Sequence, residues 1–441
     1  MSDKKRSILG LAFLTVFLDM VGFSIVFPLF PAMLEHYVQV EGETGMAGSL
    51  AQRLADLAGH ESRHSVAVHA FFGGVLGSLY SLLQFLFAPV WGALSDRHGR
   101  RPVLLFTLAG TALSYVVWFF AGGFVVLVIA RLVGGIMAGN ISTISAAVAD
   151  SSTGKQRAHG MGMIGAGIGM GFVFGPAIGA LSASTNWADP EAAWTLFAIN
   201  PFSAAAACAF AMAVFNLVWA WRRFPETLPK EKRGTTERHT TRRPLHALKQ
   251  VNAPGVRGAT LCYFAFYLAF SAMEFTLTFL VTERLDYKPM DIGMMFVFIG
   301  FLMVLVQGGV VRRLAPKIGE VRMGATGMLL TIPGFLITGW AQSGGALYAG
   351  LFFLAVGSAL VMPSFSSLVS RYAPAERQGL ALGLFRSMGS LARAAGPLLG
   401  GALFYGIASW GPYGVGAVVI LLPLFMALRL PDPPPSSEPA H

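Results

Sequence analysis

Apolar runs of about 20 residues recur along the whole length of this chain, each long enough to cross a hydrocarbon core of roughly 30 Å as a helix. Twelve are read, at 8–31, 66–90, 102–122, 124–149, 158–183, 194–220, 258–282, 290–311, 321–341, 344–369, 378–404 and 411–429. A bilayer interior offers backbone groups no water, so such runs must satisfy their own hydrogen bonds as helices, and the alternating pattern of a membrane barrel is absent. Composition agrees, with 54% of the 441 residues hydrophobic and only 12% charged. The expected fold class is an all-α membrane protein. The first run carries Asp19 and continues into FPLFPAML without a small-residue cleavage site, which reads as a retained helix rather than a signal peptide.

A net charge of +10 could suggest nucleic acid. Its placement argues otherwise. With the amino terminus inside, 25 of the 32 Lys and Arg residues fall on the cytoplasmic side, whereas the outer loops hold only Arg53, Arg63, Arg284 and Lys288. This is the positive-inside bias of a multi-pass protein of the cytoplasmic membrane with both termini cytoplasmic. Cys208 and Cys262 fall inside runs and read as small packing residues, not a disulfide framework. No Cys/His cluster suggests a metal and no Gly-Lys-Ser/Thr loop suggests ATP. No cofactor and no enzymatic activity are therefore expected, and an ion gradient is left as the energy source.

The polar stretch 222–255 divides the runs six and six and reads as a cytoplasmic linker. The domains expected are a six-helix bundle over 1–221, that linker, a second bundle over 256–430 and a disordered tail over 431–441. An outer insertion spans about 38–65, where Leu50, Leu54 and Leu57 recur at helical spacing and suggest a short surface helix. The halves resemble each other around KQRAHGMGMIGAGIGMGFVFGPAIGAL and AERQGLALGLFRSMGSLARAAGPLLGGAL. Gly175-Pro176 follows Arg157 by 18 residues, and Gly396-Pro397 follows Arg377 by 19. Two six-helix pseudo-repeats explain this economically, an arrangement found in one class of secondary transporters.

The turn between the second and third runs reads GALSDRHGRRP, with Gly92, Asp96, Gly99, Arg100 and Arg101 in the spacing G-x-x-x-D-x-x-G-R-R. It resembles the signature loop of the major facilitator superfamily at every key position. That resemblance implies twelve transmembrane helices in two bundles, and a cytoplasmic gate whose charged contacts close when the carrier faces outward. It also implies an acidic partner for the signature arginine near the end of the fourth run, which assigns Asp150 to Arg100, with Arg157 beside them. The equivalent second-half loop, VRRLAPKIGEVR, keeps Gly319 but has Pro316 where Asp96 would align and Glu320 in place of Arg100. Gly171, Gly175, Pro176 and Gly179 resemble the family's antiporter motif, G-x-x-x-G-P-x-x-G. Close packing of a glycine-rich membrane helix would also explain them. Over nearly the whole chain the resemblance is to the drug–proton antiporter branch that includes bacterial tetracycline exporters, and more closely to vertebrate tetracycline-transporter-like carriers of organic anions.

Ionisable residues inside a membrane span cost on the order of 2.5–3.5 kcal/mol each on insertion scales, so each is a candidate functional group. Five stand out. Asp19 lies near the middle of the first run, Arg131 in the fourth within RLVGG, and Glu274 in the seventh, while Arg386 and Arg393 are seven apart on one face of the eleventh. RLVGG resembles the family's span-four arginine motif associated with proton coupling. Glu274 is the better proton carrier, because desolvation opposes the charged form of a carboxyl. Asp19 is the alternative, unless it serves as a helix cap or structural hydrogen-bonding group. Arg131, Arg386 and Arg393 form the expected substrate cavity, their positive excess favouring an anionic or zwitterionic solute. The function expected is proton-coupled antiport of a small organic solute by a monomeric carrier, whose partners are that solute, protons and the lipid bilayer. A sugar-type facilitator, suggested by FPETLP after the sixth run, and a non-transporting receptor or scaffold are the alternatives.

Overall fold

The computed structural model describes residues 3–42, 45–58, 65–151, 154–188, 195–229, 233, 255–373 and 378–431. Among them regular structure is helical, apart from one isolated bridge between Ala121 and Phe197. Packing divides the chain into two compact units. One holds Met1–His239, Phe275–Gly300 and Pro397–Ser409; the other holds Thr240–Glu274, Phe301–Gly396 and Trp410–His441.

The first unit opens with α1 (Asp3–Ser24), a 3-10 turn (Phe27–Leu29) and α2 (Phe30–Glu41). Pro28 and Pro31 sit in the first turns of the two short elements, where a missing N–H costs little. The apolar run therefore continues from Ile8 to Glu41, past the expected end at 31, and the insertion begins at Gly42 rather than at about 38. The short helix expected in the insertion is α3 (Met46–Ala58), but Ala47, Ala51 and Ala55 form its buried face. Leu50 is exposed and Leu54 partly so, while the Leu57 side chain lies outside the described residues. Alanines at this spacing let the helix lie close against its neighbours, an option that a search for large apolar residues does not register.

The unit continues through α4 (Val66–His98), α5 (Arg100–Phe119), α6 (Phe124–Met137), α7 (Asn140–Ser151), α8 (Gly154–Ala183) and α9 (Ser203–Arg223). Glu41 moors the insertion: its carboxylate accepts hydrogen bonds from Ala47 N at 2.9 Å and Phe124 N at 2.6 Å. It thus satisfies amide donors at the starts of both α3 and α6, which helices cannot satisfy themselves. The fourth span, expected as one helix, is broken between α6 and α7. A break at membrane depth is tolerated only where the freed carbonyls find partners. Here Trp91 Nε1 donates to Ile136 O at 2.6 Å and Ser142 Oγ to Gly139 O at 2.7 Å. The sixth span starts at Ser203 rather than 194, because Asn200 folds the preceding chain back, its side-chain amide donating to Ala121 O at 3.0 Å and its Oδ1 accepting from Phe202 N at 2.9 Å.

The remaining helices are α10 (Val256–Leu285), α11 (Pro289–Leu305) with a π-helical turn at Val306–Val311, α12 (Arg312–Gly339), α13 (Gly344–Tyr372), α14 (Gln378–Gly406) and α15 (Gly411–Ala427). Portions of three of them, within 275–300 and 397–409, pack in the first unit. There Tyr405 on α14 donates its hydroxyl to the Leu54 carbonyl of α3 and lies against Phe71. Ten stretches among the described residues are long and apolar enough to cross a membrane, and Gly411–Ala427 is a shorter apolar helix. The expected eleventh run corresponds to α14. Both cysteines are free, Cys262 buried and Cys208 exposed.

Candidate functional site

The GRR turn is built by a glycine no other residue could replace. Gly99 joins α4 to α5 with φ at 107°, and a Cβ there would overlap the carboxylate of Glu226. Arg100, 5% exposed, pairs with Asp96 at 2.5 Å and Asp150 at 2.9 Å and donates to Ser95 Oγ at 2.6 Å. The expected Arg100–Asp150 contact is therefore present in the geometry. Arg101 donates to Trp221 O at 2.6 Å. Gly92 has open space around it, and the Arg157 side chain lies outside the described residues.

Sequence reading missed Glu226, within FPETLP. It accepts from Arg100 N at 2.9 Å, Arg101 N at 3.3 Å and Leu228 N at 3.0 Å, and pairs with Arg233 at 3.4 Å. An acid at a helix N-terminus satisfies orphan donors and opposes the helix dipole. Glu226 and the GRR turn are more than 120 residues apart, so only the arrival of the linker's start beside the turn could have signalled the contact. Glu226→Ala is expected to cost about 1 kcal/mol, the worth of a lost N-terminal cap, and to lower the thermal unfolding midpoint of the purified protein.

The corner in the second half repeats this geometry with the charges exchanged. Gly319 has φ at 78°, and Glu320 next to it pairs with Arg371 at 2.6 Å and accepts from Ser367 at 3.1 Å. An acid stands where the first corner has Arg100, and a base at the end of the following span stands where it has Asp150. The sequence difference at Glu320 is thus a polarity reversal of a retained pair.

Gly171, Gly175 and Gly179 lie along the face of α8 that meets α1. A Cβ at any of them would overlap Met20, Ser24 or the Ile25 carbonyl. Ser24 Oγ donates to Gly171 O at 3.0 Å across this contact. Pro176 lies inside the same helix, whose other face receives Gly293 and Gly300 of α11 against Ala180 and Val173. Close packing by small residues accounts for these glycines in this structure.

Each unit holds a cluster of charge within its spans, buried in the first and half-buried in the second. In the first, the break in the fourth span presents Asn140 at the start of α7, where its amide donates to Asp19 Oδ1 at 2.9 Å and its Oδ1 accepts from Thr107 at 2.5 Å. Asp19 Oδ2 is buried without a hydrogen-bond partner, as is Arg131 Nη2. The Arg131 guanidinium stands 5.0 Å over the Trp118 ring, and Tyr80 and Tyr115 interact electrostatically with both charges. In the second unit, Arg393 hydrogen-bonds Tyr267, lies 5.9 Å from its ring centre and interacts with Glu274, while Arg386 neighbours Tyr263. Tyr263 packs on Tyr267 at 5.3 Å and Phe385 at 4.2 Å. The structure so brings Glu274, Arg386 and Arg393 together within the second unit and Arg131 and Asp19 together within the first. Asn140 and the tyrosines were not singled out in the sequence, since each is unremarkable until the break and the neighbouring helices place it.

The family model described as Major Facilitator Superfamily matches residues 12–323 and 310–441, nearly the whole chain. The chain belongs to the major facilitator superfamily. Bovine major facilitator superfamily domain-containing protein 10 is 35% identical to it over 97% of this chain and 93% of its own length. The class G tetracycline resistance protein of Vibrio anguillarum is 29% identical over 95% of this chain and 96% of its own. The crystal structure of the human organic anion transporter MFSD10 (TETRAN) matches with a TM-score of 0.76 and 33% identity, covering 96% of this chain and 99% of that one. As a member of the superfamily, the chain is a multi-pass membrane transporter of small solutes and not an enzyme.

Proposed function

We propose that this facilitator-superfamily carrier is a monomeric, proton-coupled antiporter that exports a small anionic or amphiphilic organic solute by alternating access. The single observation that carries the proposal is that each packed unit holds a carboxyl within a span, Asp19 buried and Glu274 half-buried, with an arginine and two tyrosines around it. Such groups are costly in a membrane protein unless they handle a proton or a polar solute. Similarity to the human organic anion transporter and to tetracycline resistance proteins supports a solute of this kind. In this reading both termini face the cytoplasm, the Arg100–Asp96–Asp150 corner belongs to the cytoplasmic gate, the α8 glycine motif favours exchange, and 1–221 and 256–430 are the two repeats.

Purified protein in proteoliposomes is expected to drive a fluorescent aromatic anion uphill when a pH gradient is imposed and to release protons in the opposite direction. Flux that ignores the gradient would instead support a sugar-type facilitator, a second reading favoured by the contact of Glu226 in FPETLP with the GRR turn. Binding without flux would identify a receptor.

A further inference from the structure

The three membrane arginines are not equally available. Arg393 is engaged by Tyr267 and Glu274, and Arg386 also has partners. Arg131 is only 6% exposed, has no carboxylate within ion-pair reach among the described residues, and keeps one N–H group with nothing to receive it. In the same cluster Asp19 is 8% exposed and keeps one oxygen with no donor. Two opposite charges, each unsatisfied, therefore share tyrosine neighbours without pairing. Buried polar groups in this condition call for a missing water, ion or ligand, or for a functional role.

A carboxylate answers the geometry at Arg131. It offers the planar acceptor that guanidinium binds best, while the Trp118 face already holds the other side of the cation. Phe23 lies 4.9 Å from Tyr80 and 5.8 Å from Phe172, so an apolar or aromatic body has matching surface beside the polar cluster. Such an anion would bring a second negative charge beside Asp19. Like charges in a low-dielectric site disfavour one another, and protonation of Asp19 removes the conflict. Its free oxygen then becomes a donor.

We propose that Arg131, Trp118, Tyr80, Tyr115 and Asp19 form a site that takes an organic monocarboxylate together with one proton from solution, the proton residing on Asp19. This rests on the reading of the chain as an organic-solute carrier and narrows that solute's class. The groups facing Asp19 are Tyr80 on α4, Tyr115 on α5, Arg131 on α6 and Asn140 on α7. The contacts described from α8 and α9 to α1 come from glycines of α8, from Phe172 and Phe174, and from Asn216 of α9, none of which titrates. Coupling is reciprocal, so a proton that strengthens the anion's binding is itself held more tightly by the anion. The proton on Asp19 is then loaded with the anion at this site, so the proton exchanged for solute in the antiport reading is the one assigned to Glu274.

Equilibrium binding of benzoate to the purified full-length protein, with neutral benzamide as control, tests this between pH 8 and 5.5. Benzoate affinity is expected to rise as pH falls, by up to about tenfold per unit for one linked proton, and benzamide affinity to stay flat. Asp19→Asn is expected to bind benzoate tightly at every pH. Arg131→Gln is expected to lose at least about tenfold in benzoate affinity, with Arg131→Lys intermediate; the Lys variant keeps a buried cation if the Gln variant does not fold. No benzoate binding by wild type, an unchanged pH dependence in Asp19→Asn, or wild-type affinity in Arg131→Lys and Arg131→Gln overturns the site. Gradient-driven flux of another anion alongside such a result would leave the carrier reading standing; absence of all flux would remove that reading separately.

Discussion

In Glu274→Gln protein, accumulation of solute driven by a pH gradient is expected to fall to the level of protein-free vesicles, while solute–solute exchange survives. Gln keeps the size and hydrogen-bonding capacity of a protonated carboxyl but can neither release nor reload a proton. Glu274 is half-buried on α10 within the cluster that includes Arg393 and Tyr267, so the substitution removes a charge without opening a cavity. Exchange needs only binding and the conformational cycle, whereas uphill movement needs the proton step. Efflux from proteoliposomes with and without an imposed gradient separates the two. Full gradient-driven activity would remove the coupling role from Glu274.

The second large effect concerns the GRR corner. Asp150→Arg removes a partner of the buried Arg100 and adds a cation beside it; because Asp150 itself is open to solvent, the loss is that of a charge-assisted hydrogen bond, about 1.5–3 kcal/mol. Thermal unfolding of the detergent-solubilised variant is expected to show this as a marked drop in midpoint, together with lost transport. The reversed second corner then predicts how to restore it. Exchanging the charges alone, as Arg100→Glu with Asp150→Arg, leaves Asp96 beside a new acid in place of the Arg100 it contacts at 2.5 Å. The second half has Pro316 where Asp96 would align. Rescue is therefore expected only when Asp96→Asn accompanies the double exchange. Equal stability of the double and triple variants would show that the resemblance between the corners carries no shared electrostatic logic.

Much of this was legible in the sequence because membrane insertion writes its requirements into length and charge. The apolar runs located the spans, and the family resemblance of the GRR turn led to Asp150 as the neighbour of Arg100. The common face of Arg386 and Arg393 followed from their seven-residue separation. Illegible were features that depend on what arrives from elsewhere in the chain. Asn140 looks like an ordinary polar residue until the helix breaks before it, and the break itself is held by Trp91 from another span. The insertion helix was visible by periodicity, yet its buried side is alanine, because the space available beside it cannot be read from its own residues.

The mooring of that insertion has a consequence for biosynthesis. Glu41 leaves the ribosome 83 residues before Phe124, whose amide it accepts. At typical elongation rates the delay is on the order of ten seconds. Throughout it the first hairpin has one half of its anchor, and the segment leading into α3 is joined to nothing beyond its own neighbourhood by that carboxylate. Completion of the first extramembrane segment thus waits on emergence of the fourth span, which makes the order of synthesis part of how this region reaches its final form.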